Sequence, residues 1–319
     1  MPYKCKKQKS KSKKTKYRVT NWPKYNKALR QRGDITFWFS EDAIAQWTPT
    51  KDEYQGMGCP RTYSDLAIET ALMIRQVFSL TLRATQGFME SLVKLMGLEL
   101  SIPDYSCLSR RSDGLKLQKL LENIEPGSHV IIDSSGLKVY GKDEWHQEKH
   151  KVKANRTWRK LHLAIDEKHN IIATELTTNK VGDVSAVPDL LNQIEHVFDT
   201  FIADGAYDGK PTYDAIEEKQ PGAKVIIPPP KNGVVHEDGP SQRNEHIETI
   251  NEKGRAAWQD ITNYGRRSLV ELAMLRYKTL IGNKLKAREL PRQIAEAQAS
   301  VRAINKMTQL GMPVSVKVA

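Results

Sequence analysis

The chain has 319 residues, with 50 Lys and Arg against 38 Asp and Glu, and a formal net charge of +12 at pH 7. This length can bury a sizeable core and predicts two domains. No apolar run approaches the roughly 18 residues of a membrane span, and no apolar signal-peptide segment follows the N-terminal lysines. The cysteines Cys5, Cys59 and Cys107 have neither a disulfide nor a zinc spacing, so we expect a soluble protein of a reducing, cytoplasmic compartment without membrane contact.

The excess positive charge lies at the N-terminus. Thirteen Lys and Arg precede the first acid, Asp34, and the rest of the chain carries 37 basic against 38 acidic residues. Aromatic side chains are interleaved with these charges, at Tyr3, Tyr17, Trp22 and Tyr25. We predict that residues 1–33 form a basic, flexible arm that binds nucleic acid, with a merely solvated tail as the alternative.

Residues 34–125 have helical spacing and predict a small all-α DNA-binding domain. Ser64 is placed to cap one helix, Gly97 to end a second and Asp104 to begin a third. Three short helices of this kind favour a helix-turn-helix-like module, although a plain helical packing domain has the same pattern. The predicted base- and phosphate-contacting residues of the third helix are Arg110 and Arg111.

The pattern changes at Pro126, where we place the start of an α/β domain that extends to residue 289. Short apolar runs predict strands at residues 129–133, 158–165, 170–176, 200–204 and 224–228. Helical periodicity predicts helices at residues 183–197, 211–219 and 264–278. This order of elements is typical of the ribonuclease-H-like α/β fold, with a mixed five-stranded sheet. An insertion over residues 229–263 would precede its last helix, and residues 290–319 would form a C-terminal helix and tail.

Two acids terminate predicted strands that are otherwise apolar. Asp133 follows Val-Ile-Ile, and Asp204 follows Phe-Ile-Ala. A carboxylate at such depth costs several kcal/mol unless a cation or hydrogen bonds offset it. Together with Glu271 on the last helix, these residues form an oxygen-only set suited to hard divalent cations such as a pair of Mg²⁺ ions.

The last predicted helix carries a narrow polar stripe on an otherwise apolar surface. At about 100° per residue, the stripe lies within a sector of roughly 60°. Its members are Tyr264, Arg267, Glu271 and Lys278. An internal ladder of salt bridges is the simplest explanation, because Arg267 and Glu271 are i,i+4 partners. The two strand-end aspartates favour a binding site instead.

These residues resemble those of DDE transposases from bacterial insertion sequences. Asp204 lies in Ala-Asp-Gly-Ala-Tyr-Asp, and the stripe has the spacing Tyr-x2-Arg-x3-Glu-x6-Lys. The surrounding sequences of residues 103–111 and 254–258 are similar to the family-five branch of insertion sequences. The resemblance covers roughly residues 58–282.

The resemblance implies both an activity and a set of site residues. Asp133, Asp204 and Glu271 would hold two Mg²⁺ ions, with Mn²⁺ as a substitute, and Tyr264, Arg267 and Lys278 would contact DNA phosphates near the cut. Such an enzyme binds terminal inverted repeats, cuts at the transposon end and joins the 3′-hydroxyl to target DNA. It implies at least a homodimer on DNA, in the cytoplasm and nucleoid of a bacterium or archaeon.

Several other residues are candidates for the same site. Glu248 and Glu252 in the predicted insertion compete with Glu271 for the role of third ligand, and Asp208 is expected to be a cap or turn residue. The basic segment 142–160 would grip phosphates or simply be solvated. Three further DNA contacts are predicted, at Arg159, Lys160 and Trp258, the last by stacking on an unpaired base. The alternative for Trp258, and the commoner role of such a residue, is packing within the insertion.

Two other functions remain open from the sequence. A related metal-dependent nuclease would cut DNA without joining strands. A DNA-binding regulator without catalytic activity would use only the arm and the helical region, and its function would not require Asp133.

Overall fold

The structure is a computed structural model that describes residues 16–49, 61–113, 127–139 and 158–318. Its described strands are β1 (Lys16–Val19), β2 (His129–Val139), β3 (Trp158–Ile165), β4 (Ile171–Thr178), β5 (Thr200–Ile202), β6 (Lys224–Ile226), β7 (Lys284–Leu285) and β8 (Ser315–Val318). Its described helices are α1 (Trp22–Gln31), α2 (Ile35–Trp38), α3 (Glu41–Ala45), α4 (Asp65–Val77), α5 (Leu82–Leu95), α6 (Tyr105–Arg111), α7 (Val187–Asn192), α8 (Lys210–Lys219), α9 (Ser241–Thr262), α10 (Ser268–Leu280) and α11 (Leu290–Leu310).

A mixed sheet forms the centre of the α/β domain. Its strand order is β4-β3-β2-β5-β6, with β2, β3 and β4 antiparallel and β5 and β6 parallel to β2. These five strands and the helices after them follow the predicted order. The described residues add a sixth strand, the two-residue β7, which pairs in parallel with the far end of β2.

Alternate residues of β2 enter two different cores, as the period of a strand requires. Val130 and Ile132 pack on the face covered by α7 and α8, and Ile131 packs on the face covered by α10 and α11. Both faces of the central strand are therefore buried, which explains its continuous apolar run.

The predicted helix over residues 183–197 is shorter than expected. A 3₁₀ turn at Val184–Ala186 leads into α7, which ends at Asn192, and Val197 is 72% exposed. The predicted insertion contains α9, and this helix is interrupted at Gly254, whose φ of 83° suits glycine.

The N-terminal helices share their core with the C-terminal helix. Ser64 caps α4 by accepting a hydrogen bond from Ala67 N (3.1 Å), as the sequence predicts. Ala299, Ala303 and Met307 of α11 pack among the apolar residues of α2, α4 and α5. The same helix also packs on the sheet through other residues, so it joins the two regions. The predicted continuation of the third helix lies outside the described residues.

Residues 16–31 differ from the predicted flexible arm. They form β1 and α1, because β1 pairs antiparallel with β8 and α1 buries Ala28. Asn21 strengthens this junction, since its side chain donates to Met312 O (3.0 Å) and accepts from Val314 N (2.8 Å). The predicted C-terminal tail is correspondingly a strand over residues 315–318. In the described part of the chain, none of the helices combines the length and apolar character that a membrane crossing needs.

Candidate active site

Asp133 and Asp204 lie at the same level on neighbouring strands. The parallel register pairs Ile131 of β2 with Ile202 of β5, and each aspartate lies two residues further along its own strand direction. Asp204 follows the end of β5, as predicted. Asp133 instead lies within β2, because this strand continues to Val139 while paired with β3.

Backbone hydrogen bonds orient both carboxylates. Asp133 Oδ1 accepts from Ser134 N (2.8 Å), and Asp204 Oδ1 accepts from Ala206 N (2.9 Å) in the turn after β5. Burial raises the pKa of Asp133, and the negative charge of Asp204 raises it further, against the opposing effects of Ser134 N–H and Arg267. The two acids therefore repel each other in a partly dehydrated position, where a cation is stabilising.

Arg267 connects helix α10 to this pair of acids. Its Nη1 donates to Asp133 Oδ2 (3.1 Å), and its Nη2 forms a short ion pair with Glu271 on the next turn. The side chain of Glu271 is 55% exposed, whereas that of Asp133 is 17% exposed. Burial lowers the pKa of Arg267, but Tyr264 and the three predicted acids, Asp133, Glu271 and Asp204, raise it above its usual value.

The other two members of the polar stripe also face the acids or β2. Tyr264 lies in the 3₁₀ turn before α10, and burial raises the pKa of its phenol to about 12, with Asp204, Asp133 and Glu271 adding to the effect. Lys278 Nζ donates to Ser135 Oγ of β2 (2.5 Å). The stripe thus includes the predicted Arg267–Glu271 ladder but extends beyond it to the central strand.

The donor set suits a divalent cation. Asp133, Asp204 and Glu271 would supply only oxygen ligands, which are the kind that Mg²⁺ and Mn²⁺ accept. Within the described ranges, no three His, Cys, Asp or Glu side chains already stand close enough together to hold a metal ion. Arg267 contacts both Asp133 and Glu271 in this arrangement. Its side chain must therefore move before these acids can bind a metal ion together.

A second polar cluster adjoins Asp133, and the sequence pattern did not identify it. Asp183 Oδ1 accepts from Ser134 Oγ (2.9 Å) and from Lys160 Nζ (3.3 Å), and lies 3.9 Å from His162 Nδ1. Burial lowers the pKa of His162 to about 4. The sequence pattern predicts Asp183 as the first residue of a helix. In the structure it precedes the 3₁₀ turn at Val184–Ala186, and its contacts with β2 and β3 come from tertiary packing.

Three predicted DNA contacts instead have structural partners. Lys160 Nζ donates to Val181 O (2.9 Å) as well as to Asp183, and Arg159 Nε donates to the buried Gln293 of α11 (2.8 Å). Arg111 donates to Tyr63 O (2.6 Å) and forms a short ion pair with Asp65. These contacts correct the expectation that the three side chains are available to phosphates.

Trp258 and Arg110 have opposite environments. Trp258 is fully buried, donates through Nε1 to His246 Nδ1 (3.1 Å) and packs against the ring of Tyr264 at 5.3 Å. Its ring therefore has no face open to a base, which corrects the predicted stacking role. Arg110 is exposed on α6. It is the member of the Arg110-Arg111 pair that remains available to a ligand.

The competing acids have other environments. The side chain of Asp208 is 3% exposed and forms an ion pair with Arg243 of α9, with both carboxylate oxygens 3.0 Å from Arg243 Nε. Glu248 and Glu252 are exposed on α9. Glu271, by contrast, is among the causes that raise the pKa of both Arg267 and Tyr264.

Two protein-family models, each described as "Transposase DDE domain", match residues 30–142 and 125–306 of the chain. The second match covers more than half of the sequence. Among solved structures, the chain is similar to the piggyBac transposase, seen by cryo-electron microscopy in a synaptic complex with hairpin DNA. The identity is 13% and the TM-score is 0.41, over 92% of this chain and 76% of that chain.

Proposed function

This chain belongs to the DDE-domain transposases, and we propose that it cuts DNA at transposon ends and joins the freed 3′-hydroxyl to target DNA. One observation supports the assignment of the site most strongly. Asp133 and Asp204 occupy equal levels on adjacent strands, and Arg267 links Asp133 to Glu271 of α10. The same three acids form the proposed catalytic triad.

The proposed metal site consists of Asp133, Asp204 and Glu271. Transposases with this domain generally depend on divalent metal ions, and we propose two Mg²⁺ ions, with Mn²⁺ as a substitute. When bound, such ions favour the attacking and leaving oxygens of a phosphodiester displacement. Ser134 N–H and Ala206 N–H hold the two aspartate side chains in place for this role.

The cations of the polar stripe are proposed to hold the scissile DNA strand. Lys278 of α10 and Arg267, which immediately precedes this helix, both contact β2, and Tyr264 begins the 3₁₀ turn that ends at Arg267. A guanidinium that leaves Asp133 can form a bidentate contact with a phosphate. Binding of DNA would thereby remove Arg267 from the acids and give the proposed metal site its free carboxylates.

The remaining assignments concern how DNA is recognised. We propose that residues 1–33 and the helical region with exposed Arg110 bind the terminal inverted repeats, as at least a homodimer on DNA. The signature Tyr264-x2-Arg267-x3-Glu271-x6-Lys278 favours the family-five branch of insertion sequences. The proposed place of action is the nucleoid of a bacterial or archaeal cell.

The test uses full-length protein and a duplex that carries the inverted repeat flanking its coding segment. Asp133→Asn and Glu271→Gln should keep end binding but lose Mg²⁺-dependent cleavage by at least about 10³-fold, as expected for removal of groups that act as a unit. Glu248→Gln is the matched control, because Glu248 is an exposed acid on the neighbouring helix α9.

Cleavage that survives Glu271→Gln but not Glu248→Gln would move the third ligand to α9 and refute the proposed triad. Metal-dependent cutting without joined product would identify a nuclease instead. A regulator would keep its whole activity in Asp133→Asn.

A further inference from the structure

Strands β1 and β8 form a two-stranded ribbon that is separate from the central sheet. Their antiparallel register places Tyr17 opposite Lys317 and Arg18 opposite Val316. Helix α1 follows β1 after a connection of two residues, and Asn21 in this connection bonds to the segment that leads into β8. The ribbon and α1 are therefore one folded unit, built from the first and the last described segments of the chain.

Both faces of the ribbon carry exposed side chains. Directly opposite residues of an antiparallel pair lie on the same face, so Tyr17 and Lys317 share one face and Arg18 and Val316 share the other. Tyr17 is 67% exposed and Val316 is 45% exposed, and both cations are exposed as well. None of the three apolar cores of the described chain includes a side chain of the ribbon. Because an isolated two-stranded ribbon is at best marginally stable in water, this uncovered surface is suited to a partner.

The charge of this unit selects an anionic partner. Residues 1–33 and 297–319 contain no Asp or Glu. Helix α1 adds three exposed cations to the two of the ribbon, at Lys24, Lys27 and Arg30. Among the ion pairs of the described ranges, none involves these five side chains. A second copy of the chain docked on this unit would bring like charges together, whereas a polyanion would neutralise them.

We propose that β1, β8 and α1 bind duplex DNA, with the ribbon in the major groove and the cations of α1 on the phosphates beside it. The major groove of B-DNA is about 12 Å wide and admits a two-stranded β-ribbon. Lys and Arg side chains that neutralise phosphates supply most of the sequence-independent affinity. The identity of this DNA as a transposon end rests on the proposed function. Binding of a duplex by the ribbon does not depend on the metal site.

The position of the ribbon connects bound DNA to the rest of the protein. Strand β8 follows α11, and this helix packs both on the sheet and among the N-terminal helices. A duplex held by the ribbon would therefore be attached through α11 to the sheet that carries Asp133 and Asp204. The residue that distinguishes this proposal from a purely N-terminal arm is Lys317, because it belongs to the C-terminal strand.

Binding of the full-length chain to a fluorescent duplex of about 30 base pairs tests the proposal, with EDTA present to remove divalent metal. Lys317→Gln and Arg18→Gln should each weaken binding about tenfold at about 0.1 M salt and reduce the slope of log affinity against log salt by about 1. Their unfolding temperatures should equal that of the parent, because both side chains are exposed. Lys224→Gln changes an exposed lysine of strand β6 and should bind as the parent does.

Disulfide cross-linking tests the groove that the ribbon enters. Val316→Cys should react with a duplex that carries a disulfide-activated tether on cytosine N4, which lies in the major groove, and not with one tethered at guanine N2 in the minor groove. Val197→Cys is the matched control, because Val197 is an exposed valine next to the central sheet domain's helix α7. It should react with neither duplex, and the parent sets the background of the native cysteines.

Several results would overturn the proposal. Unchanged affinity in Lys317→Gln would remove the ribbon from the interface, and weaker binding with a lower unfolding temperature would make Lys317 a structural residue. Reaction of Val316→Cys at the minor-groove tether, or equal reaction of Val197→Cys, would refute the groove placement. A DNA-free dimer that Val316→Asp dissociates would assign the ribbon to a second copy of the chain.

These measurements are independent of the proposed chemistry because they need neither metal nor cleavage. A chain that binds DNA through the ribbon but cuts nothing would retain this proposal and refute the transposase reaction. A chain that cuts transposon ends while Lys317→Gln binds normally would do the reverse.

Discussion

Arg267 Nη1 donates a 3.1 Å hydrogen bond to Asp133 Oδ2, and this contact fastens the signature helix α10 to the central strand β2. The same guanidinium contacts Glu271. Two of the three proposed metal ligands therefore share one organic cation in the DNA-free protein. The guanidinium thereby offsets the repulsion between the negatively charged acids when neither a metal ion nor a phosphate is bound.

Replacing Arg267 should strengthen metal binding to the free protein. In Arg267→Gln, a divalent ion no longer competes with the guanidinium for Asp133 and Glu271. A charge-assisted hydrogen bond is worth about 1.5 kcal/mol, which corresponds to an affinity gain of about tenfold for Mn²⁺. Isothermal titration calorimetry without DNA measures this gain independently of activity.

The neighbouring Arg266 provides the control for that measurement. Its Nη1 lies 2.5 Å from His129 Nε2 and contacts neither acid, so Arg266→Gln should leave the Mn²⁺ affinity unchanged. Equal or weaker Mn²⁺ binding by Arg267→Gln would show that the guanidinium does not compete for the metal site.

Arg110 and Arg111 should have separable roles although they are adjacent. Arg111→Gln removes the contacts with Tyr63 O and Asp65, and should lower the free energy of unfolding by roughly 1–3 kcal/mol. Arg110→Gln should change it by less than about 0.5 kcal/mol. Urea unfolding measures both values.

In DNA binding the order should be reversed, with Arg110→Gln having a larger effect on affinity than Arg111→Gln. If exposed Arg110 contacts a phosphate, Arg110→Gln should weaken binding and reduce the slope of log affinity against log salt by about 1. An unchanged slope in this variant would remove Arg110 from the interface.

Loss of the Asp183 carboxylate should destabilise the sheet. Asp183→Asn weakens the contact to Lys160, whose side chain is 17% exposed, and should lower the free energy of unfolding by roughly 2 kcal/mol. Asp189→Asn changes an exposed acid of α7 and should cost less than about 0.5 kcal/mol. Equal free energies of unfolding for the two variants in urea would show that the Asp183 cluster does not stabilise the sheet.

His162 should make the protein less stable as the pH falls from about 6.5 to about 4. Burial, the larger cause, and the charge of Lys160 lower its pKa to about 4, while Asp183 opposes them. Above pH 6.5 the folded and unfolded states are both neutral at this residue. Below it the unfolded state takes up the proton first, so stability declines by up to about 3 kcal/mol.

Unfolding temperatures of the parent and His162→Gln across this pH range check the prediction. The difference between the two proteins isolates His162 from other titrating groups, and the variant should show the smaller decline. His236→Gln, which changes an exposed histidine, should retain the decline of the parent. An identical pH dependence in His162→Gln would contradict the assignment.

The order of the sheet was predictable because each central strand is a short apolar run between turn residues. The side-chain stripe of α10 was predictable because helical periodicity alone brings Arg267 and Glu271 together. Those two patterns are local. They explain why the sequence identified Asp133, Asp204 and Glu271 as candidates before any distance was known.

The environments of other charged residues were not predictable, because they depend on partners far away in the sequence. From the sequence, Arg111 is expected to be an exposed cation, but in the structure it contacts Tyr63 and Asp65. From the sequence, Trp258 is a candidate for stacking on a base, but in the structure His246 and Tyr264 pack against its ring. A residue type and its spacing therefore identify a donor but not the acceptor that tertiary packing provides.

The pairing of β1 with β8 determines when the molecule can be completed during synthesis. Thr20 leaves the ribosome early, yet its side chain donates to Val314, which is 294 residues further along the chain. The core around α4 likewise lacks Ala303 and Met307 until α11 has been made. Since translation adds about 5–20 residues per second, β1 has no partner strand for tens of seconds after it has been made. The strand pair β1–β8 and the core around α4 therefore form only after almost all of the described chain has been made.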